Sequence, residues 1–212
     1  MLDKNIAYKN IIMRLDGRPK SVEAALPTGY SFKLFEPGDE KHWAEIEASV
    51  LEFDSPQSAE DYFTRSYLPR AHELAKRCVF VLTPAGKPVA TATAWYEESE
   101  LGRQATLHWV SATPTHQGRG IGRAVTVKAL ALMRILEPGL PIWLHTQTWS
   151  HIAVRLYHSL GFNMVRRERL ANGNSKSGEL EFYRNDFEEA LEVLQSSVMD
   201  AAYIKELRDT AV

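Results

Sequence analysis

Three glycines at alternate positions, in Gln117-Gly118-Arg119-Gly120-Ile121-Gly122-Arg123, separate a β-prone apolar segment from an apolar helical run. The segment before them, Leu107-His108-Trp109-Val110-Ser111-Ala112, reads as a strand, and Pro114 ends it because proline lacks the ladder donor. Beyond Gly122, the side chains Val125, Ala129, Leu132 and Leu136 recur at helical spacing. The glycines therefore stand where a helix begins, with amides that have no intrahelical partner and a positive dipole end. Without side chains in the way, those amides can close on a phosphate, and Arg119 and Arg123 add positive charge nearby. Two phosphate loops are excluded. A Walker loop needs Gly-Lys-Ser/Thr, whereas Arg123-Ala124 follows Gly122 here. A dinucleotide fingerprint needs Gly-x-Gly-x-x-Gly directly after the strand, whereas Thr113 to Gln117 intervene and the glycine spacing differs.

A second block lies about 30 residues on: Ser150-His151-Ile152-Ala153-Val154-Arg155-Leu156-Tyr157-His158-Ser159-Leu160-Gly161-Phe162. Gln117 to Gly122 resembles, at every defined position, the Gln/Arg-x-x-Gly-x-Gly/Ala acyl-CoA loop of the GNAT acetyltransferase superfamily. The second block is similar to that family's Asn-x-x-Ala-x-x-Leu-Tyr-x-x-x-Gly-Phe, with Ser150 replacing the common Asn. The resemblance implies an α/β (α+β) chain with the GNAT acyl-CoA N-acyltransferase fold. In that fold a central mixed, mostly antiparallel sheet is splayed at the acyl-CoA site and carries helices on both faces. It implies a domain over 30–185, with an N-terminal extension over 1–29 and a C-terminal helical extension over 186–212.

Composition narrows the partners. A formal charge of −2 argues against nucleic acid, which needs a strong basic field. The single cysteine, Cys78, reads as a small buried hydrophobe and allows no internal disulfide. No run of about 18 apolar residues and no signal-peptide core appears, so a cytoplasmic protein without a membrane partner is expected, and no metal site is expected either.

Along the chain, Tyr8 to Leu15 can form a strand, and Tyr30 to Phe35 a first core strand. Asp39 is placed to cap a helix with the stripe Trp43, Ile46 and Val50, and a second helix is expected from Ala59 to Lys76. Val79 to Leu82 and Val89 to Tyr96 flank a hairpin turn, and Pro141 to Thr146 is a further strand. Ser150 is expected to cap a helix burying Ile152, Ala153, Leu156, Tyr157 and Leu160. Asn163 to Leu170 and Glu179 to Arg184 suggest a last hairpin, and Asp186 to about Leu207 one amphipathic helix. The apolar stripe of that helix and the strand at Tyr8 to Leu15 must be buried, and a homodimer using one or both is expected.

The resemblance also assigns roles. Backbone groups near Val110 and Ala112 would pair with the pantetheine arm of acetyl-CoA, and an N–H near Val110 would polarise the thioester carbonyl. Gln117, Gly118, Arg119, Gly120, Ile121, Gly122 and Arg123 would hold the pyrophosphate, with Ser150 contributing from the second motif. Tyr157 matches the family's tyrosine and would protonate the departing thiolate, because a phenol is protonated at pH 7. The slot where many members carry a glutamate base is Thr106, which cannot accept a proton. His108, two residues on, is the candidate base, since an imidazole is partly neutral at pH 7. His145, Glu97 and Glu98 stand in reserve. Glu52, Phe53 and Asp54, in the loop that walls the family's acceptor pocket, are candidate substrate contacts with His145. Two functions follow from the resemblance. One is an N-acetyltransferase passing an acetyl group from acetyl-CoA to a primary amine of a small molecule or peptide by direct attack. The other is a non-catalytic acyl-CoA-binding or regulatory module.

Overall fold

The computed structural model describes residues 2–20, 23–173 and 181–212. In chain order the elements are β1 (Asn10–Leu15), β2 (Ser31–Leu34), α1 (Glu40–Ser49), α2 (Pro56–Ser66), α3 (Ala71–Arg77), β3 (Cys78–Leu82), β4 (Pro88–Ser99), β5 (Gly102–Ala112), α4 (Ile121–Leu136), β6 (Ile142–Gln147), α5 (His151–Leu160), β7 (Asn163–Met164), β8 (Ala171–Asn172), β9 (Glu181–Phe182), α6 (Phe187–Ser197) and α7 (Ala201–Asp209). They form two compact units. One comprises the described residues of Val22–Trp95 and Leu107–Pro138, the other those of Leu2–Ser21, Tyr96–Thr106 and Gly139–Val212.

In the first unit β2, β3, β4 and β5 are neighbours in that order. β2 and β3 pair antiparallel with Ser31 opposite Leu82, and β3 and β4 with Cys78 opposite Thr93. β3 is buried on both faces, as an unbroken apolar run requires. Cys78 and Phe80 join a core of Trp43, Phe63, Tyr67, Leu74 and Trp95, while Val79 and Val81 are equally buried and α4 packs on β3. Asp39 precedes α1 as expected, but its side chain makes no cap bond. It accepts instead from the Glu36 N–H at 2.8 Å and from Lys33 Nζ at 2.9 Å. The expected helix from Ala59 to Lys76 is two helices. Ser55 caps the first with a reciprocal Ser58 bond, and Pro56 opens it three residues early. Pro69 ends it, because proline has no N–H to donate and disfavours helical geometry at Leu68. The buried Arg77 bonds Glu137 at 2.9 Å and the Ala94 carbonyl at 3.1 Å, tying α3 to the end of α4 and to β4.

In the second unit β1 runs between β6 and β7, antiparallel to both, with Asn10 opposite Gln147 and Met13 opposite Met164. β5 and β6 pair parallel at Ala105–Ile142 and Thr106–Trp143, which makes the sheet mixed. The segment read as a terminal extension thus contributes an interior strand, and Ile11, Ile12 and Met13 are fully buried. α5 buries Tyr157 and Leu160 as expected, but the rest of the inward face differs from the one expected. Ile152 is 67% exposed, whereas Val154, Tyr157, His158 and Leu160 are buried. Gly161 ends it in the left-handed region, as its position predicts. Ser150 makes no cap bond, because Thr148–Ser150 already form a tight turn. The last hairpin is reduced to β8 and β9, and part of its loop lies outside the described residues. The single helix expected from Asp186 is broken before α7. Asp200 adopts extended backbone there and accepts from the Tyr203 N–H at 2.9 Å, the capping alternative that aspartate offers against helix continuation. Phe187, Ala190, Leu191 and Leu194 of α6 are buried within this unit, where α6 packs on β1 and α7. That stripe therefore gives no reason for a dimer.

Candidate active site

The glycine segment lies in the first unit. Pro114–His116 form a tight turn, and Gln117 Nε2 donates to the Ala112 carbonyl at 2.9 Å, fastening the loop to the end of β5. Gly118 and Gly120 have φ of 73° and 79°, a region that side-chain-bearing residues avoid. Gly120 is the N-cap of α4 and offers no side-chain cap, and the first intrahelical bond runs from the Ala124 N–H to the Gly120 carbonyl. The amides of Ile121 and Gly122 therefore begin a 16-residue helix without intrahelical partners. A Cβ added at Gly118, Gly120 or Gly122 would meet nothing within 4 Å. Gly122 needs neither positive φ nor relief from crowding, so its missing side chain serves open space at the helix end. That space and those donors fit a pyrophosphate.

β5 breaks its own alternation just upstream. Trp109 has φ of 51°, which rotates the flanking peptides out of the regular pleat. As a result His108, Trp109 and Ser111 all reach α1 and α2 or the turn after them. His108 Nδ1 lies 2.8 Å from the Tyr67 hydroxyl. Trp109 packs edge-on to Trp43 at 5.4 Å and beside Phe53 and Tyr62 at 5.3 and 5.2 Å. The Ser111 hydroxyl donates to Glu47 Oε2 at 2.7 Å. Val110 and Ala112 lie in the same segment, and Ala112 is buried.

Glu47 was not singled out by sequence, although it follows Trp43 by one helical turn on the apolar face of α1. It is fully buried. Burial pushes its carboxyl up to about 8, the field of Glu52 adds to the rise, and the Ser111 bond opposes it. Its second oxygen, Oε1, has no hydrogen-bond partner, and neither has Trp43 Nε1. Of the other loop candidates, Phe53 joins the aromatic wall and Asp54 is exposed.

The remaining candidates lie in the second unit. Tyr157 is 6% exposed on α5 and packs on Phe162 at 5.9 Å. His145 Nε2 meets Asn10 Oδ1 at 2.9 Å, and its ring stacks on Tyr183 at 4.1 Å. Burial lowers it to about 4, so it is neutral at pH 7 and held by the sheet. Asn10 in turn donates to Asp186 through both its backbone and its amide nitrogen. Glu97 is buried, and its carboxylate stands 1.7 Å from where a Gly173 Cβ would be, so a larger residue there would have to displace the Glu97 side chain. Glu98 is an exposed partner of Arg103 at 2.8 Å. Thr106 is buried, and its hydroxyl has no hydrogen-bond partner. Among the described residues no group of three or more His, Cys, Asp or Glu side chains is placed to hold a metal ion, and no helix is long and apolar enough to cross a membrane.

Residues 41–162 match the model of the Acetyltransferase (GNAT) family, and the chain belongs to that family. It is 32% identical over 146 residues to a mycothiol acetyltransferase of Thermobispora bispora, covering 65% of this chain and 48% of that one. It is 28% identical over 135 residues to the N-alpha-acetyltransferase RimI of Mycobacterium tuberculosis, covering 62% of this chain and 77% of that one. The chain spans about half the length of the curated mycothiol acetyltransferase relative from Thermobispora. In fold it is similar to a GCN5-related N-acetyltransferase from Sphaerobacter thermophilus, with a TM-score of 0.55 and 21% identity, covering 74% of this chain and 48% of that one.

Proposed function

We propose that the chain is an N-acetyltransferase that passes an acetyl group from acetyl-CoA to a primary amine of a small molecule or peptide by direct attack. One observation carries this reading: an uncapped helix start, led by two left-handed glycines, with open space where a third side chain would stand. When bound, acetyl-CoA supplies an acyl group activated as a thioester. The amides from Gly118 to Arg123 bind its pyrophosphate, with charge from Arg119 and Arg123, and Gln117 holds the loop. Backbone groups at Val110 and Ala112 orient the arm beside the break at Trp109. His108 accepts a proton from the amine, and Tyr157 donates one to the leaving sulfur. Phe53 walls the acceptor, and Glu52 and Asp54 contribute negative charge beside it.

The test is release of free thiol from acetyl-CoA with a panel of small-molecule amines and peptide N-termini, the two directions in which the relatives' names point. Amine-dependent release is the expected result. Tight CoA binding with no release from any amine would instead make the chain a non-catalytic acyl-CoA-binding module, the reading that Thr106 in the family's base slot favours.

A further inference from the structure

The reaction proposed above sets a proton balance that His108 alone does not complete. A protonated primary amine carries three N–H bonds and its amide product one, so two protons leave the nitrogen. The departing sulfur takes up one, and the other is surplus. One imidazole accepting both would have to shed the first before taking the second. A second acceptor reached through the same strand removes that conflict.

We infer that Glu47, acting through the Ser111 hydroxyl, accepts the surplus proton of the acceptor ammonium. The inference rests on the acyl-transfer reading. Ser111 is half-buried on β5, between Val110 and Ala112, and its hydroxyl already donates to Glu47 Oε2 at 2.7 Å. As the ammonium N–H breaks, its proton bonds to Ser111 Oγ while the serine's own proton passes to Glu47 Oε2. Serine is unchanged, the carboxylate becomes a carboxylic acid, and a neutral amine is left to attack. After the product leaves, the carboxyl returns its proton to water by the same hydroxyl.

The surroundings of Glu47 make little sense as packing. A fully buried carboxyl whose Oε1 has no partner, one turn from a Trp43 Nε1 that also lacks one, forgoes hydrogen bonds that an apolar side chain would not need. What the position does provide is a proton acceptor matched to its task. Its ordinary value of 4.5 is raised to about 8, so its carboxylate is a stronger proton acceptor than an exposed one, and the share able to accept grows as pH rises through about 8. The groups that act on it are known from each side. Ser111 bonds it from β5, and Glu52 repels it from the α1–α2 loop. On β3 the Cys78 thiol is itself pushed up to about 12, chiefly by burial, and stays neutral. His108, three residues before Ser111, is held by Tyr67.

The experiment measures kcat for thiol release at saturating amine from pH 6 to 9.5 in the wild type, Glu47→Gln, Ser111→Ala and Ser111→Thr. Dividing wild type by variant at each pH cancels the amine's own ionisation. Because the carboxylate is the active form, the ratio for Glu47→Gln is expected to rise through about pH 8 and level at roughly 10²–10³-fold. Ser111→Ala is expected to match it, whereas Ser111→Thr keeps the hydroxyl and stays within about tenfold of wild type. A structural role would give a pH-independent loss that threonine need not rescue. CoA affinity by calorimetry, unchanged in all three variants, confirms that the loop is intact. Thiol release by the wild type with flat ratios in both Glu47→Gln and Ser111→Ala overturns the inference alone. No release by the wild type with any amine overturns the acyl-transfer reading, and the inference with it.

Discussion

Replacing Glu47 with glutamine should stabilise the protein at alkaline pH. The folded state raises the carboxyl from 4.5 to about 8, so it binds the proton more tightly than the unfolded chain does. The stability that the proton contributes is fully present below about pH 4.5 and is lost as pH rises to about 8, beyond which the penalty is constant. Each tenfold change in proton affinity corresponds to about 1.4 kcal/mol, so the loss across this window is on the order of 5 kcal/mol. Glutamine is nearly isosteric and does not ionise, so it escapes that loss. Unfolding of both proteins in urea between pH 4.5 and 9 would show two curves that converge at the acid end and separate with rising pH. For a chain of this size the corresponding gap in Tm is on the order of 10 °C. Parallel curves would mean that Glu47 titrates like an exposed carboxylate, and the account of its burial would fail.

Four further outcomes are expected. Gly120→Glu should abolish CoA binding, because φ of 79° and a charged side chain at the helix start both oppose it, while the fold survives since a Cβ there meets nothing within 4 Å; unchanged affinity by calorimetry would refute the loop assignment. Tyr157→Phe keeps the packing on Phe162, so turnover should fall about 10²-fold with little change in Tm; equal turnover would make Tyr157 a core residue. Asp200→Ala removes the α7 cap bond and should cost about 1 kcal/mol, read as a drop in Tm of roughly 2–4 °C; no drop would show that the cap is idle. His145, lowered to about 4, should stay neutral by NMR across physiological pH, and its contribution to stability should be complete above 6.5 and fade as pH falls toward 4; titration near 6.5 would contradict its burial.

What the sequence made legible is local. The glycine loop and the Gly161 stop can be read because positive φ and helix termini demand particular residues at particular positions. The break at Pro69 was equally visible, yet the expected helix ran from Ala59 to Lys76 straight across it. Glu47 was hidden for a different reason, since its partner Ser111 is 64 residues away and only the folded chain joins them. Its one local sign was the turn-spaced Trp43. The left-handed Trp109 was not legible at all, because bulky aromatics disfavour that conformation. Packing of its ring against Trp43, Phe53 and Tyr62 overrides the local preference.

The position of β1 sets the order in which the molecule can be completed during synthesis. Residues Asn10–Leu15 leave the ribosome well before their partners, which are Ile142–Gln147 on one side and Asn163–Met164 on the other, more than a hundred residues later. At about 5–20 residues per second, Ile11, Ile12 and Met13 wait on the order of 10 s for a sheet to enter. Until then they are an unpaired apolar strand, the kind of segment that holdase chaperones bind and that joins other chains edge to edge. Placing a charged residue at Arg14's neighbour Met13 would make that wait safer and the finished sheet impossible, because the same side chain that is exposed on the nascent chain is fully buried in the folded one.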